Sequence, residues 1–450
     1  MSGKFAIRIN QLCLSLFLSV VLFSSVSFAE TVRYRVVWSG DPSKTATIAW
    51  DQIQGEDPVL YYGTEDVDGK PEKYSHSTET TRKVPNYRGM NNMFVRLEDL
   101  EPDQKYYFVI KDSEGTGEQF WFRTAPDKPK PFTFVVGGDT KSYGSALMAG
   151  RESNMMTGKL RPLFVIFNGD FNTGNGVPAG RWQQWFDDWF LLTTTNDNRL
   201  IPIVPVHGNH EDGDKTVLHY LFDVPYQGDD EENIYFDMAF GKFFSFLALN
   251  SQIKVEGDQT EWLKKNLKKY KKHTFLTAGY HKPFFPHTSR KRENQRLYDA
   301  WAQLFFDSGL DLSFDGDSHI TKTTYPLRPS DEEGSHMGFI RDDEKGTMFI
   351  GEGSWGAGPR TTDDLKPWTL RAGAFNQIKW LHVFPKEDGK PAHIEIRTVI
   401  TAKRNEDGLM IPYSHEVVPL KEGEEFNIPK GITLFDEGPT GDVIRYPFSE

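Results

Sequence analysis

Six short apolar runs in the middle of the chain each end in polar residues: FTFVVGGD (132–139), PLFVIFNGD (162–170), IPIVPVHGNH (201–210), FFSFLALN (243–250), TFLTAGYH (274–281) and LDLSFDGDSH (310–319). Helix-like segments separate several of them, notably GRWQQWFDDWF (180–190), DQTEWLKKNLKKY (258–270) and ENQRLYDAWAQLFF (293–306). Strand-like runs alternating with amphipathic segments predict an α/β core. In such sheets ligands bind outside the carboxyl ends of the strands, where these polar endings would sit.

The flanks read differently. Over 30–126, alternating runs such as VRYRVVW, VLYYG, MFVRL, KYYFVIK and FWFR are separated by Gly, Pro and Asp turns, which predicts an all-β sandwich. The stretch APDKPKP then marks a boundary. From about 345 the runs TMFIGEG, KWLHVFP and HIEIRTVI return to strand character and predict the completion of a second sheet. The expected organisation is therefore an N-terminal leader (1–29), a β-sandwich domain (30–126), a two-sheet α/β sandwich (127–402) and a peripheral C-terminal tail (403–450).

Lys4 and Arg8 precede the run LCLSLFLSVVLF, and Ser27-Phe28-Ala29 offers small residues at cleavage positions, the layout of a secretory signal peptide. The chain's one cysteine, Cys13, lies inside that segment, so an exported product has no disulfide to rely on. There is no Asn-X-Ser/Thr acceptor, which fits a periplasmic or secreted bacterial protein. The net charge is −12, and removing Lys4 and Arg8 makes the remainder more acidic. A general attraction to nucleic acid or to anionic membrane is excluded, and no stable membrane anchor is expected.

One aspartate at a strand end often does no more than cap a turn. Here Asp139, Asp170, Asn209, His281, Asp317 and His319 all follow apolar runs, with His210 beside Asn209. Carboxylates, an amide oxygen and imidazoles form a mixed ligand set suited to Zn, Mn or Fe. A carboxylate such as Asp170 can bridge two such ions. His207 and His287 flank the set and are expected to be packed. Trp182, Trp185 and Trp189 have the spacing of a core face, and in KKNLKKYKK the residues Trp262, Leu263 and Leu267 supply the buried stripe of a solvated helix.

The order GGD (137–139), GDFNT (169–173), GNHE (208–211), YHKP (280–283) and GDSH (316–319) resembles the calcineurin-like metallophosphoesterases. The preceding β module, with YGTED, LEDLEPDQKYYFVI and FWFRTAP, resembles the fibronectin-type N-terminal domain of purple acid phosphatases. The resemblance implies that Asp139 and His319 bind a first metal, that Asp170 bridges, and that Asn209 and His281 bind a second, with Asp317 at a position the family gives to histidine. His210 matches the family's substrate-facing histidine. Lys141 and Tyr143, just past Asp139, could hydrogen-bond a phosphoryl oxygen.

Two positions depart from the family. Thr173 stands where purple acid phosphatases place the tyrosine that colours ferric iron, so neither the colour nor a strong Fe(III) preference is expected. Asp317 adds a hard carboxylate and makes Mn²⁺ or Fe²⁺ plausible beside Zn²⁺. The resemblance implies an exported phosphomonoesterase with two divalent ions and a small phosphorylated substrate. A phosphodiesterase or nucleotide pyrophosphatase with the same ions, and a degenerate metal-binding module, are the alternatives. Asp315 is expected to end its strand or cap the turn. Asp317 and His319 share one face if the chain there is extended.

Overall fold

The computed structural model describes residues 29–387 and 389–448. The expected signal peptide lies outside them except for Ala29.

The apolar runs form strands of two facing sheets. Phe132–Gly137, Phe164–Phe167 and Ile203–Pro205 pair in parallel and lie at the centre of an eleven-stranded sheet. The antiparallel strands Asn376–Phe384 and His393–Arg404 extend it on one side. A seven-stranded sheet contains Phe244–Ala248, Phe275–Gly279, Leu312–Phe314 and Met348–Gly351, again parallel, followed by Thr321–Thr324 and Thr369–Gly373. Alternation puts the rings of Phe132, Phe134 and Phe164 on the inner face of the first sheet, against Phe240, Phe244 and Phe314 of the second. Phe134 and Phe164 stack at 5.1 Å, and Phe134 meets Phe244 edge-on at 5.3 Å. This dry aromatic layer holds the sheets face to face, and truncating such a ring costs about 3–5 kcal/mol.

Helices Gly144–Leu160 and Ala179–Thr193 pack together on the first sheet, while Asp258–Tyr270 and Gln295–Ser308 pack together on the second. Trp182, Trp185 and Trp189 are buried as their spacing predicts, with Trp185 and Trp189 stacked at 5.2 Å. Leu263 and Leu267 are buried and Trp262 partly so, which leaves Lys264, Lys265, Lys268 and Lys269 in solvent.

The N-terminal module is a sandwich, as expected. One of its sheets is His76–Glu79, Val59–Gly63, Lys105–Lys111 and Phe120–Arg123. The other, Thr31–Val37 with Ala46–Gln52, Met90–Leu97 and Arg82–Tyr87, is not separate, because Val37 pairs in parallel with Ile203 of the central sheet. The joining covers two strand edges that would otherwise present unpaired backbone groups.

Residues 403–448 of the segment expected as a peripheral tail pack along the first sheet instead. Met410–Pro412 and Ile444–Tyr446 both pair with His393–Arg404, and Val417, Leu420, Phe435 and Phe448 are buried. Its Gly/Pro punctuation hid apolar residues that fill gaps singly rather than in periodic runs.

Candidate metal centre

Parallel pairing brings the polar endings of the apolar runs to one rim, and the backbone there is unusual. Asp139, Asp170, Asp317 and His319 all have positive φ (67°, 57°, 67° and 57°), a conformation that bulky L-residues rarely adopt. The chain at 317–319 is therefore not extended, and the alternation argument for Asp317 and His319 fails. Left-handed turns, not a continuing strand, aim the two side chains. The Asp139 N–H donates to the Gly169 carbonyl at 3.0 Å, which locks the first two endings together. A Cβ added at Gly353 would overlap the Asp139 carboxylate, so the backbone approaches that ligand as closely as glycine allows.

Asp139, Asp170 and His319 are buried and bring one ligand atom each within 4.8 Å of one another. His319 Nε2 lies 3.4 Å from Asp139 Oδ1. On the other side of Asp170, His281 Nε2 is 3.2 Å from Asp170 Oδ1 and 3.6 Å from Asp317 Oδ1. His281 Nδ1 is 2.7 Å from the Asn168 carbonyl, which can only accept, so Nδ1 carries a proton and Nε2 turns inward to the carboxylates, where a bound cation would take the place of its second proton.

Asn209 lies beside this group: its amide is 2.7 Å from Asp317 Oδ1 and 3.3 Å from His281 Nε2, and the orientation that satisfies it turns the nitrogen toward them and the oxygen to the His210 N–H at 3.2 Å. The carboxylates and imidazole of Asp139, Asp170 and His319 form a donor set that suits a hard or borderline divalent ion, and His281, Asp317 and Asn209 surround the other side of Asp170.

The electrostatics agree. Burial opposes charging the His281 ring, yet the carboxylates of Asp170 and Asp139 outweigh it and hold that ring well above its ordinary pKa. Burial also opposes the charge on Asp317, but His281 and Lys291 keep its carboxyl well below the usual range. His319 goes the other way, lowered by burial despite Asp139, which leaves it neutral and able to coordinate.

Around the six lie the expected neighbours. His210 donates its backbone N–H to Asp170 Oδ1 at 2.8 Å, and its partly exposed ring sits with Nε2 3.6 Å from Oδ2. Lys141 Nζ is 3.7 Å from Asp170 Oδ2. Tyr143, two residues on, is 62 % exposed in front of the helix Gly144–Leu160, and the structure does not bring it onto the cluster. Thr173 is buried and its hydroxyl finds no partner among the described residues. His207 is buried beneath the turn, pushed down to about 4 by burial, and His287 is held between Glu352 and Thr369 at 3.0 and 2.8 Å. Both are packed residues, as expected.

Several participants escaped the sequence reading. Glu211, buried after His210, accepts N–H bonds from Gly208 at 2.9 Å, Asp170 at 2.8 Å and Phe171 at 3.0 Å, and so ties two ligand loops to one carboxylate. Lys291 pairs with Asp317 Oδ1, and Arg360 Nη1 donates to the Asp317 carbonyl at 3.1 Å. Asp315 does end its strand but caps nothing; it is buried against Lys322, whose Nζ is 2.6 Å from Asp315 Oδ2 and 3.3 Å from Glu352 Oε1. Glu352 follows the run TMFIG, so the rule that found the other strand-end residues could have found it.

Family comparison agrees with this geometry. Residues 31–124 match the N-terminal domain of purple acid phosphatases, and residues 151–321, which contain all the candidate ligands except Asp139, match the calcineurin-like phosphoesterases. Among curated relatives, a probable purple acid phosphatase 20 of Arabidopsis thaliana is 24 % identical over 288 residues, 60 % of this chain and 64 % of its own length. The Fe(3+)-Zn(2+) purple acid phosphatase 12 of the same plant is also 24 % identical, over 56 % of each chain. The chain thus spans less than two thirds of the length of these relatives. The structure of a purple acid phosphatase from yellow lupin (Lupinus luteus) superposes with a TM-score of 0.65 at 14 % identity, covering 85 % of this chain and 73 % of the other, and shows the shared fold. PhoD superposes at 0.57 with 12 % identity, covering 87 % and 90 %.

Proposed function

We propose that this chain, which joins a purple acid phosphatase N-terminal domain to a calcineurin-like phosphoesterase domain, is a phosphomonoesterase that uses two divalent ions. Asp139, Asp170 and His319 would hold one ion, and Asp170, Asn209, His281 and Asp317 the other. The chemistry such ions supply is to draw negative charge off the phosphoryl group and to make water a better nucleophile.

The protein's own groups do the rest. Lys141, beside Asp170, orients a phosphoryl oxygen. His210 presents Nε2 from the edge of the cluster and passes a proton to the leaving oxygen. Glu211 keeps the Asp170 and Asn209 loops at fixed separation, which holds attack and departure in line.

The observation that carries the reading is the convergence of buried Asp139, Asp170 and His319, one ligand atom each within 4.8 Å of one another, with His281 and Asp317 beside Asp170. With Thr173 in place of the tyrosine and a third carboxylate at Asp317, Mn²⁺, Fe²⁺ and Zn²⁺ are the candidate ions. The leader-like residues 1–29 support export to the periplasm or beyond, and mass spectrometry of the mature N-terminus tests that.

Turnover of p-nitrophenyl phosphate and bis-p-nitrophenyl phosphate by the metal-loaded protein separates the substrate classes. The monoester should turn over faster. A preference for the diester replaces the monoesterase reading, and no turnover of either ester with metal bound leaves a metal-binding module.

A further inference from the structure

Four ionisable side chains lie buried beside the metal cluster and take no part in the mechanism described so far. Asp315, Lys322, Glu352 and His287 are 2 %, 3 %, 0 % and 0 % exposed. Lys322 Nζ sits 2.6 Å from Asp315 Oδ2 and 3.3 Å from Glu352 Oε1. Glu352 Oε1 also meets His287 Nδ1 at 3.0 Å, and His287 Nε2 meets the Thr369 hydroxyl at 2.8 Å. Burial opposes the charge on Lys322, but Asp315 and then Glu352 outweigh it, so the group stays an ammonium.

Both carboxylates stand at the start of a turn that packs on Asp139. Asp315 precedes Gly316, where an added Cβ would come within 2.8 Å of Asp139 Oδ2 and 3.0 Å of His281 Nδ1. The Gly316 N–H donates to the His281 carbonyl at 2.7 Å, and the Asp317 N–H donates to Asp139 Oδ2 at 3.0 Å. Glu352 precedes Gly353, which presses on the Asp139 carboxylate from its own turn. The Gly356 and Ala357 N–H groups, farther along that turn, donate to the Asp139 carbonyl at 3.1 and 2.8 Å. Glu352 and Ile320 exchange backbone N–H bonds at 3.1 and 3.3 Å, which joins the two turns. His287 lies on the loop that follows His281, so a third ligand segment ends on the same network.

A buried ammonium held by two carboxylates is a poor source of stability, because taking the charges out of water offsets most of their attraction and apolar groups of similar volume serve as well. What such a network does impose is relative position. We propose, resting on the two-ion reading, that Lys322 is a positioning residue for the metal centre: it clamps the Asp315 and Glu352 turns onto Asp139 from two sides and so fixes the separation of Asp139, Asp317 and His319.

The test reads metal rather than turnover. Chelated full-length protein is titrated with Mn²⁺ or Zn²⁺ against a chelating dye, and its melting temperature is recorded without metal. Lys322→Met should bind about 10–100-fold more weakly than wild type. That variant strands two buried carboxylates and could lose the fold, so the deciding protein carries Asp315→Asn together with Lys322→Met, which removes one charge of each sign. It should melt within a few degrees of wild type and still bind about tenfold more weakly, and with the local net charge unchanged the loss reports geometry. Asp311→Asn, just before the same strand, Leu312–Phe314, should bind as wild type does. Wild-type affinity in the paired variant, failure of that variant to fold, or an equal loss in Asp311→Asn would each mean that the network serves the fold alone, and would overturn the assignment while the two-ion reading stands. Wild type that takes up no ion overturns both.

Discussion

The two ends of the central strands differ in the groups they gather. At the carboxyl ends Asp139, Asp170, Asp317, His281 and His319 crowd within ion-pair distance of one another, with Lys141 and Lys291 at their edge. At the amino ends Arg161 and Arg199 are buried instead and turn their guanidinium groups to Asp197 and to backbone carbonyls. Crowded buried carboxylates and imidazoles at one end and individually partnered cations at the other are what a cation site at the carboxyl ends alone would leave behind.

The strand Leu312–Phe314 carries the contrast in miniature. Asp311 before it is raised to about 7 by burial, even though Leu276 N–H donates to it at 2.7 Å, whereas Asp317 after it is held low by His281 and Lys291. Aspartates with positive φ also occur in the N-terminal module, at Asp57, Asp68 and Asp99, but those are exposed turn residues. The same backbone conformation is a turn when it faces water and a candidate ligand when it is buried at a strand end.

Breaking the acceptor end should have the largest effect. Asp170→Ala removes the shared ligand and should lower kcat roughly a thousandfold, the several kcal/mol at stake in ion-assisted charge stabilisation, with loss of bound metal measured alongside. Glu211→Gln keeps the shape but turns one accepting oxygen into an NH₂ group, so the bonds to Gly208 and Asp170 or the bond to Phe171 are lost. It should cost about 10–100-fold in metal affinity, read by competition with a chelating dye.

Asp311 sharpens the comparison through pH. A carboxyl raised in the folded state favours folding below its unfolded pKa, and that contribution is lost as pH rises through about 7. Wild-type stability attributable to this group should therefore decline between about pH 4 and 7. Asp311→Asn should flatten that decline in urea titrations across the range, and an unchanged slope would mean Asp311 is charged in the fold. The smallest effect is expected at Tyr143: exposed as it is, Tyr143→Ala should change kcat/KM by less than about twofold, and a larger loss would mean the tyrosine reaches substrate.

How much was legible follows from what kind of rule each residue obeys. Asp139, Asp170, Asn209, His281 and His319 obey a local one, a polar residue after an apolar run, and the fold brings them together. Lys291 and Arg360 reach Asp317 from loops with no periodic signal, and Glu211 acts by accepting from backbone groups that no sequence pattern displays. The joining of the N-terminal sheet to the central one depends on a single pairing, Val37 with Ile203, between strands far apart in sequence. Asp317 was legible as a candidate ligand, but the left-handed backbone that aims it was not.

The central claim is that the carboxyl-end acceptors hold the ions on which ester hydrolysis depends. Elemental analysis of the purified protein, paired with p-nitrophenyl phosphate turnover before chelation, after it and after return of Mn²⁺, Fe²⁺ or Zn²⁺, tests it most directly. The account predicts two divalent ions per chain, loss of turnover as they leave and recovery as they return. Undiminished hydrolysis by fully metal-free protein would contradict it.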